Sequence, residues 1–283
     1  AWTPPQPPGK NGGIDLGLSD RVYVVTGGSR GLGFAAARTL VAEGARVVLS
    51  SPREATVSAA AARLSDEAAG PGSATWIVAD NRDPATPDRL IATALDRFSG
   101  LDGALISVGG SPAGTIASTS DDDWRAQFES VFLGAVRLAR VLAEQLGCSR
   151  GAAATGSRTG TGGSIVFVLA ASVRAPLPEL AISNGLFPGL AGVVKMLADE
   201  LGPAGIRVNG LLPVRIATDR VRQLDARRGD PDQVRARLSE QIPLRRYGEP
   251  EEFGRAAAFL LSPASSYTTG AMIPVDGGAI RSI

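Results

Sequence analysis

Val22-Tyr23-Val24-Val25-Thr26-Gly27-Gly28-Ser29-Arg30-Gly31-Leu32-Gly33 is the stretch on which the reading of this chain turns. A short β-rich apolar run ends at Thr26, a glycine-rich turn follows, and the apolar-periodic run Leu32 to Leu40 reads as a helix. Gly27, Gly31 and Gly33 remove the Cβ atoms that would keep a phosphate away from the backbone. The helix start adds unpaired N–H groups and a positive dipole end. Ordinary tight loops also use glycines, so the strand before the turn and the helix after it carry the argument.

Outward from that turn, strand-like and helix-like stretches alternate. Strands are expected at Arg46–Ser50, Ala74–Ala79, Gly103–Val108, Ser164–Leu169, Arg207–Leu212 and Ala271–Val275. Helices are expected at Ala55–Ala69, Pro84–Phe98, Asp121–Gly147 and Ser183–Leu201, with shorter ones at Asp219–Arg228, Asp232–Gln241 and Pro250–Leu261. Strict alternation argues for one α/β domain, a doubly wound parallel sheet of Rossmann type with helices on both faces. Such sheets bind ligands at the carboxyl ends of their strands. The insert Ile216–Ile242 is placed to be a helical lid over a substrate cleft, or to be a structural helix pair. Gly147–Gly163, rich in Gly, Ala, Ser and Thr, reads as a mobile surface loop, and Ala1–Gly17 as a flexible leader.

Composition excludes several classes. The 283 residues carry a formal charge of +1, which gives no reason to expect nucleic acid. No run of about 18 apolar residues is seen, so no membrane span is expected. The single cysteine, Cys148, forbids an internal disulfide and suits a cytoplasmic protein. The chain has no histidine, which removes His-assisted hydrolysis and His-based metal sites.

The chain resembles the short-chain dehydrogenase/reductase family from about Leu18 to its C-terminus. The resemblance rests on Thr26-Gly27-Gly28-Ser29-Arg30-Gly31-Leu32-Gly33, Ala79-Asp80-Asn81, Gly163-Ser164-Ile165-Val166 and Gly205-Ile206-Arg207-Val208-Asn209. Ile216-Ala217-Thr218-Asp219, Pro243 to Glu252 and Val275-Asp276-Gly277-Gly278 are also of the family type. It implies a seven-stranded sheet, a nicotinamide cofactor, a small-molecule substrate and a homotetramer or homodimer with Asp121–Gly147 as interface. It also implies that Asp80 and Asn81 meet the adenine. Ser107, Val108 and Gly109 would line the nicotinamide-side ribose, and Pro213, Ile216 and Thr218 would flank the carboxamide.

Cofactor choice has a physical argument. An acid about 20 residues after the turn would accept the ribose hydroxyls and repel a 2′-phosphate. Here the second strand ends Ser50-Ser51-Pro52-Arg53, and Arg30 stands inside the turn with Ser29 and Leu32. Both arginines suit a 2′-phosphate, so NADP(H) is expected.

The catalytic pattern departs from the family. The family's Asn falls on Val131, its Ser on Ala170, and its Tyr and Lys on Ser183 and Phe187. The nearest polar candidates are Ser107, Ser172, Ser183 and Asn184. Without a Tyr–Lys pair, general acid help of about 10²–10⁴-fold is missing, yet hydride chemistry belongs to the cofactor. Two readings follow. One is an atypical NADPH-dependent reductase for an already electrophilic substrate, such as an iminium ion or activated carbonyl, in secondary metabolism. The other is an inactive NADP(H)-binding pseudoenzyme. A lyase or isomerase lacks the acid–base residues it would need.

Overall fold

Val22–Thr26 (β1) is buried at every position because helices cover both faces of the sheet. It pairs in parallel with Arg46–Ser51 (β2) and Gly103–Ser107 (β4). The computed structural model describes residues 15–68, 70–153 and 162–282. Most of the expected leader and the centre of the Gly147–Gly163 stretch therefore lie outside the described residues, as does Ala69. Ser73–Val78 (β3), Ser164–Val168 (β5), Arg207–Pro213 (β6) and Met272–Val275 (β7) complete a seven-stranded sheet of order β3-β2-β1-β4-β5-β6-β7. Every pairing is parallel. The doubly wound fold expected from the alternation is the fold observed.

Alternate residues of β1 serve opposite layers, as the two-residue period of a strand requires. Val22 and Val24 join Leu90, Leu138 and Leu190 in one core, below Thr86–Phe98 (α3), Gly134–Ala153 (α5) and Ala181–Leu201 (α6). Tyr23 and Val25 join Leu40, Leu64 and Phe253 in the other, below Gly31–Ala42 (α1), Glu54–Glu67 (α2) and Pro250–Leu261 (α9). Full burial of each large side chain is worth about 1.5–3 kcal/mol.

Two expectations need correction. The long helix is interrupted: Asp121–Gln127 (α4) passes into a π-helical turn at Phe128–Leu133 before α5. A π turn inserts an extra residue, and the Phe128 and Phe132 rings stack within it at 5.2 Å. Helix α5 also continues through Ala153, into the stretch expected to be a loop. The run Ala181–Ala204 is long and apolar enough to cross a membrane by length and composition alone. Here, though, Leu186, Leu190, Val194 and Ala198 on one side of α6 are buried in the core.

Candidate active site

The sheet reverses its winding between β1 and β4, which leaves a crevice at the carboxyl ends of those strands. A cleft of about 1180 Å³ opens there. The glycine-rich turn forms its floor. Gly27 has φ of 62° and Gly31 of 58°. A Cβ at Gly33 would lie 2.5 Å from the Gly27 carbonyl oxygen, so only glycine lets the helix start this close to the strand end. Arg30, the residue before α1, makes no side-chain cap, so the first-turn N–H groups have no side-chain acceptor there. That cradle fits the phosphates of a dinucleotide.

Hydrogen bonds fix the walls. Thr26 Oγ1 donates to the Ser107 carbonyl at 3.0 Å and accepts from the Ser107 N–H at 2.9 Å, tying β1 to β4. Ser29 donates to the Ser51 hydroxyl at 3.1 Å, and the Gly28 N–H to the Ser50 carbonyl at 3.1 Å. Ser50 and Ser51 are buried. Arg30 and Arg53 are exposed at the rim, and neither has an ion-pair partner among the described residues. β2 ends in Ser50 and Ser51 with no acid among its residues, and the two arginines suit this corner to an anionic group. Asp80 lines the cleft with its carboxylate gripped by Arg82 at 2.7 Å, which holds it below the usual carboxylate range. Asn81 lies beside it, and its carbonyl accepts from Arg137.

Leu32, Ser107, Val108, Gly109, Pro213, Ile216 and Thr218 all line the same cleft, so the structure brings the whole expected cofactor set together. Thr218 caps Asp219–Ala226 (α7) through its hydroxyl. Residues of α7, and Leu238 of Pro231–Ser239 (α8), line the cleft where the sequence suggests a lid.

The four catalytic candidates separate. Ser107 and Ser183 line the cleft, beside Ala170 and Phe187. Ser172 and Asn184 do not. Ser172 is buried and donates to the Ser183 carbonyl at 3.2 Å. Asn184 spends both ends of its amide on the backbone of Leu177. Both therefore hold structure rather than face a substrate. Val131 is buried in the core.

No Tyr or Lys lines the cleft among the described residues. Tyr23 is buried in the sheet, donates to the Leu261 carbonyl, and has its pKa pushed strongly up by burial. Tyr247 donates to Asp225 at 2.9 Å and is raised to about 12, chiefly by burial. Lys195 is exposed and lies beside Gly270. Among the described residues, no histidine, cysteine, tyrosine or lysine faces the cleft.

Sequence reasoning missed Ser111, Arg220 and Arg227, which also line it. The seven-residue spacing of the two arginines, about two helical turns, was the available signal. Ser111 carried none, because only the fold brings it to Arg220.

The family model described as enoyl-(acyl carrier protein) reductase matches residues 27–279. The chain is 32% identical over 265 residues to L-rhamnose 1-dehydrogenase (NAD(P)(+)) of Azotobacter vinelandii, covering 92% of this chain and 97% of that one. Among solved structures, L-sorbose reductase from Gluconobacter frateurii, complexed with NADPH and L-sorbose, superposes with a TM-score of 0.85 at 27% identity. That match covers 95% of this chain and all (100%) of the other. A short-chain oxidoreductase from Pseudomonas aeruginosa PAO1 containing an atypical catalytic centre gives 0.83 at 29% identity, covering 94% and 100%. Fold, glycine turn and sequence kinship agree: the chain belongs to the short-chain dehydrogenase/reductase family of oxidoreductases.

Proposed function

We propose that this protein is an NADPH-dependent reductase for a small molecule that arrives already electrophilic, such as an iminium ion or an activated carbonyl. One observation carries the reading: the nucleotide cradle is complete, while no group able to donate a proton near neutral pH lines the cleft among the described residues. The NADPH held by the related sorbose reductase supports a nicotinamide cofactor. The turn from Gly27 to Gly33 would hold its phosphates, Arg30 and Arg53 its 2′-phosphate, and Thr218 its carboxamide end.

The chain's own residues then bind, orient and exclude water. A bound reduced nicotinamide would supply the hydride with both electrons of its C–H bond, so that an iminium ion would become a neutral amine with no proton taken up and the cofactor would be left oxidised. An activated carbonyl needs a proton for its alkoxide, from water or through the Ser183 hydroxyl. Holding the reactants together supplies a large part of the acceleration without any acid. Ala170, Ser183 and Phe187, none of them assigned to the nucleotide, wall the same cleft, which supports turnover over mere nucleotide storage. Assembly as a homodimer or homotetramer through α4 and α5 belongs to the same proposal.

The test is titration with NADPH and NADH, followed by reduced-nicotinamide absorbance with a panel of iminium ions, imines and carbonyls. Tight NADPH binding with oxidation by the electrophilic members supports the reading. Binding with no oxidation by any of them contradicts it.

A further inference from the structure

Four arginines of the segment that covers the cleft line it: Arg215, Arg220, Arg227 and Arg228. Two are already neutralised. Arg215 pairs with Asp225 at 2.6 Å, and Arg228 with Glu179 at 3.6 Å. Arg220 and Arg227 have no carboxylate within ion-pair distance among the described residues, although Asp219 lines the same cleft. Burial lowers the Arg220 pKa, and the repulsion of the Arg227 charge adds to that cost.

A second, independent observation lies at the same place. Arg220 donates through Nη2 to the Ser111 carbonyl. Its Nε and the Ser111 hydroxyl are both buried with no hydrogen-bond partner among the described residues. Ser111 is 1% exposed. A Cβ at Gly110 would come 2.9 Å from Arg220 Nε, so the guanidinium lies on the glycine backbone that follows β4. Buried donors without acceptors are rare and costly, and two on neighbouring segments of one cleft point to a missing acceptor.

We propose that the substrate carries a carboxylate, seated against Arg220, Arg227 and the Ser111 hydroxyl. This rests on the reductase reading above and names its substrate class. A carboxylate offers two acceptor oxygens for the Nε–H and the O–H, and its charge relieves the repulsion between the arginines. Keto acids and imine carboxylic acids combine such an anion with a carbon that accepts hydride. The subsite thereby orients the substrate by its anionic end and rejects neutral analogues, which would leave the same donors unpaired.

The test compares phenylpyruvate with its methyl ester, and a pyrroline carboxylate with its methyl ester, under NADPH. The wild type should prefer each acid by about 10- to 100-fold in kcat/KM. Arg220→Gln should erase that preference and Ser111→Ala reduce it. Arg222→Gln, an exposed change on the same helix, should leave it intact. Equal use of acid and ester by wild type and Arg220→Gln overturns this inference while leaving the reductase reading standing. If no compound oxidises NADPH, the reductase reading fails, and calorimetry of oxamate binding to the NADPH-loaded protein still decides the subsite. Binding lost in Arg220→Gln supports it, and binding that is absent or unchanged by the substitution overturns it.

Discussion

The side-chain amide of Asn184 closes on a single residue: its oxygen accepts from the Leu177 N–H and its nitrogen donates to the Leu177 carbonyl, both at 2.8 Å. Leu177 begins the segment through Leu180 that walls the cleft, so the first turn of α6 holds a substrate-facing loop in place. Asn184→Ala leaves two partly buried backbone groups unpaired. We expect about 1–3 kcal/mol less stability in urea titration and a rise in KM larger than the fall in kcat. An unchanged unfolding midpoint would show that the clamp carries no energy.

Gly33 touches the turn it helps to build. Replacing it with Ala forces a Cβ against the Gly27 carbonyl, which is backbone and cannot swing aside. The expected result is a loss of about 1–3 kcal/mol, with weakened NADPH binding. Wild-type affinity in Gly33→Ala, measured by nucleotide fluorescence, would remove the turn from the binding site.

The glycine turn and the individual strands were legible because both depend on neighbours in sequence. The apolar run of β1, the periodic helix after it and the phosphate cradle need no distant partner. The poorly read positions depend on contacts that form only in the fold. Ser172 stood two residues from a family position, yet its hydroxyl turns away to the Ser183 carbonyl. Asn184 looked like a free polar group until the loop at Leu177 came back to meet it. Arg220 and Ser111 lie 109 residues apart in sequence, and no local pattern links them. The π turn at Phe128–Leu133 lies inside a run whose composition suits an ordinary helix.

Arg30 and Arg53 should set cofactor choice. The double change to Gln removes both charges from the rim without touching the core. We expect NADPH binding to weaken about 10- to 100-fold and NADH binding to stay level. Equal weakening of both nucleotides would mean that the arginines act on the shared pyrophosphate instead.

A pair outside the cleft lining predicts an acid-dependent loss of stability. Arg246 grips Glu252 through its Nη1 and Nη2 at 2.6 and 2.7 Å, which lowers the Glu252 pKa from 4.5 to about 2. A carboxylate with a depressed folded pKa stabilises the protein above its unfolded value, and that contribution fades as pH falls from about 4.5 towards about 2. Arg246→Gln should shrink this part of the pH dependence in thermal melts. A variant that loses stability over the same window as the wild type would contradict the assignment.

Hydride transfer without an acid from the protein is tested by the rate of NADPH oxidation by a quaternary iminium ion and by a matched neutral ketone, followed from about pH 6 to 9. The side chains lining the cleft among the described residues include no ionisable group whose ordinary pKa falls in that range. The iminium ion should be reduced at a rate that does not change with pH, and the ketone about 10²-fold more slowly or worse. A ketone reduced as fast as the iminium ion, with a rate that falls as one group loses its proton, would place an acid in the site and contradict the account.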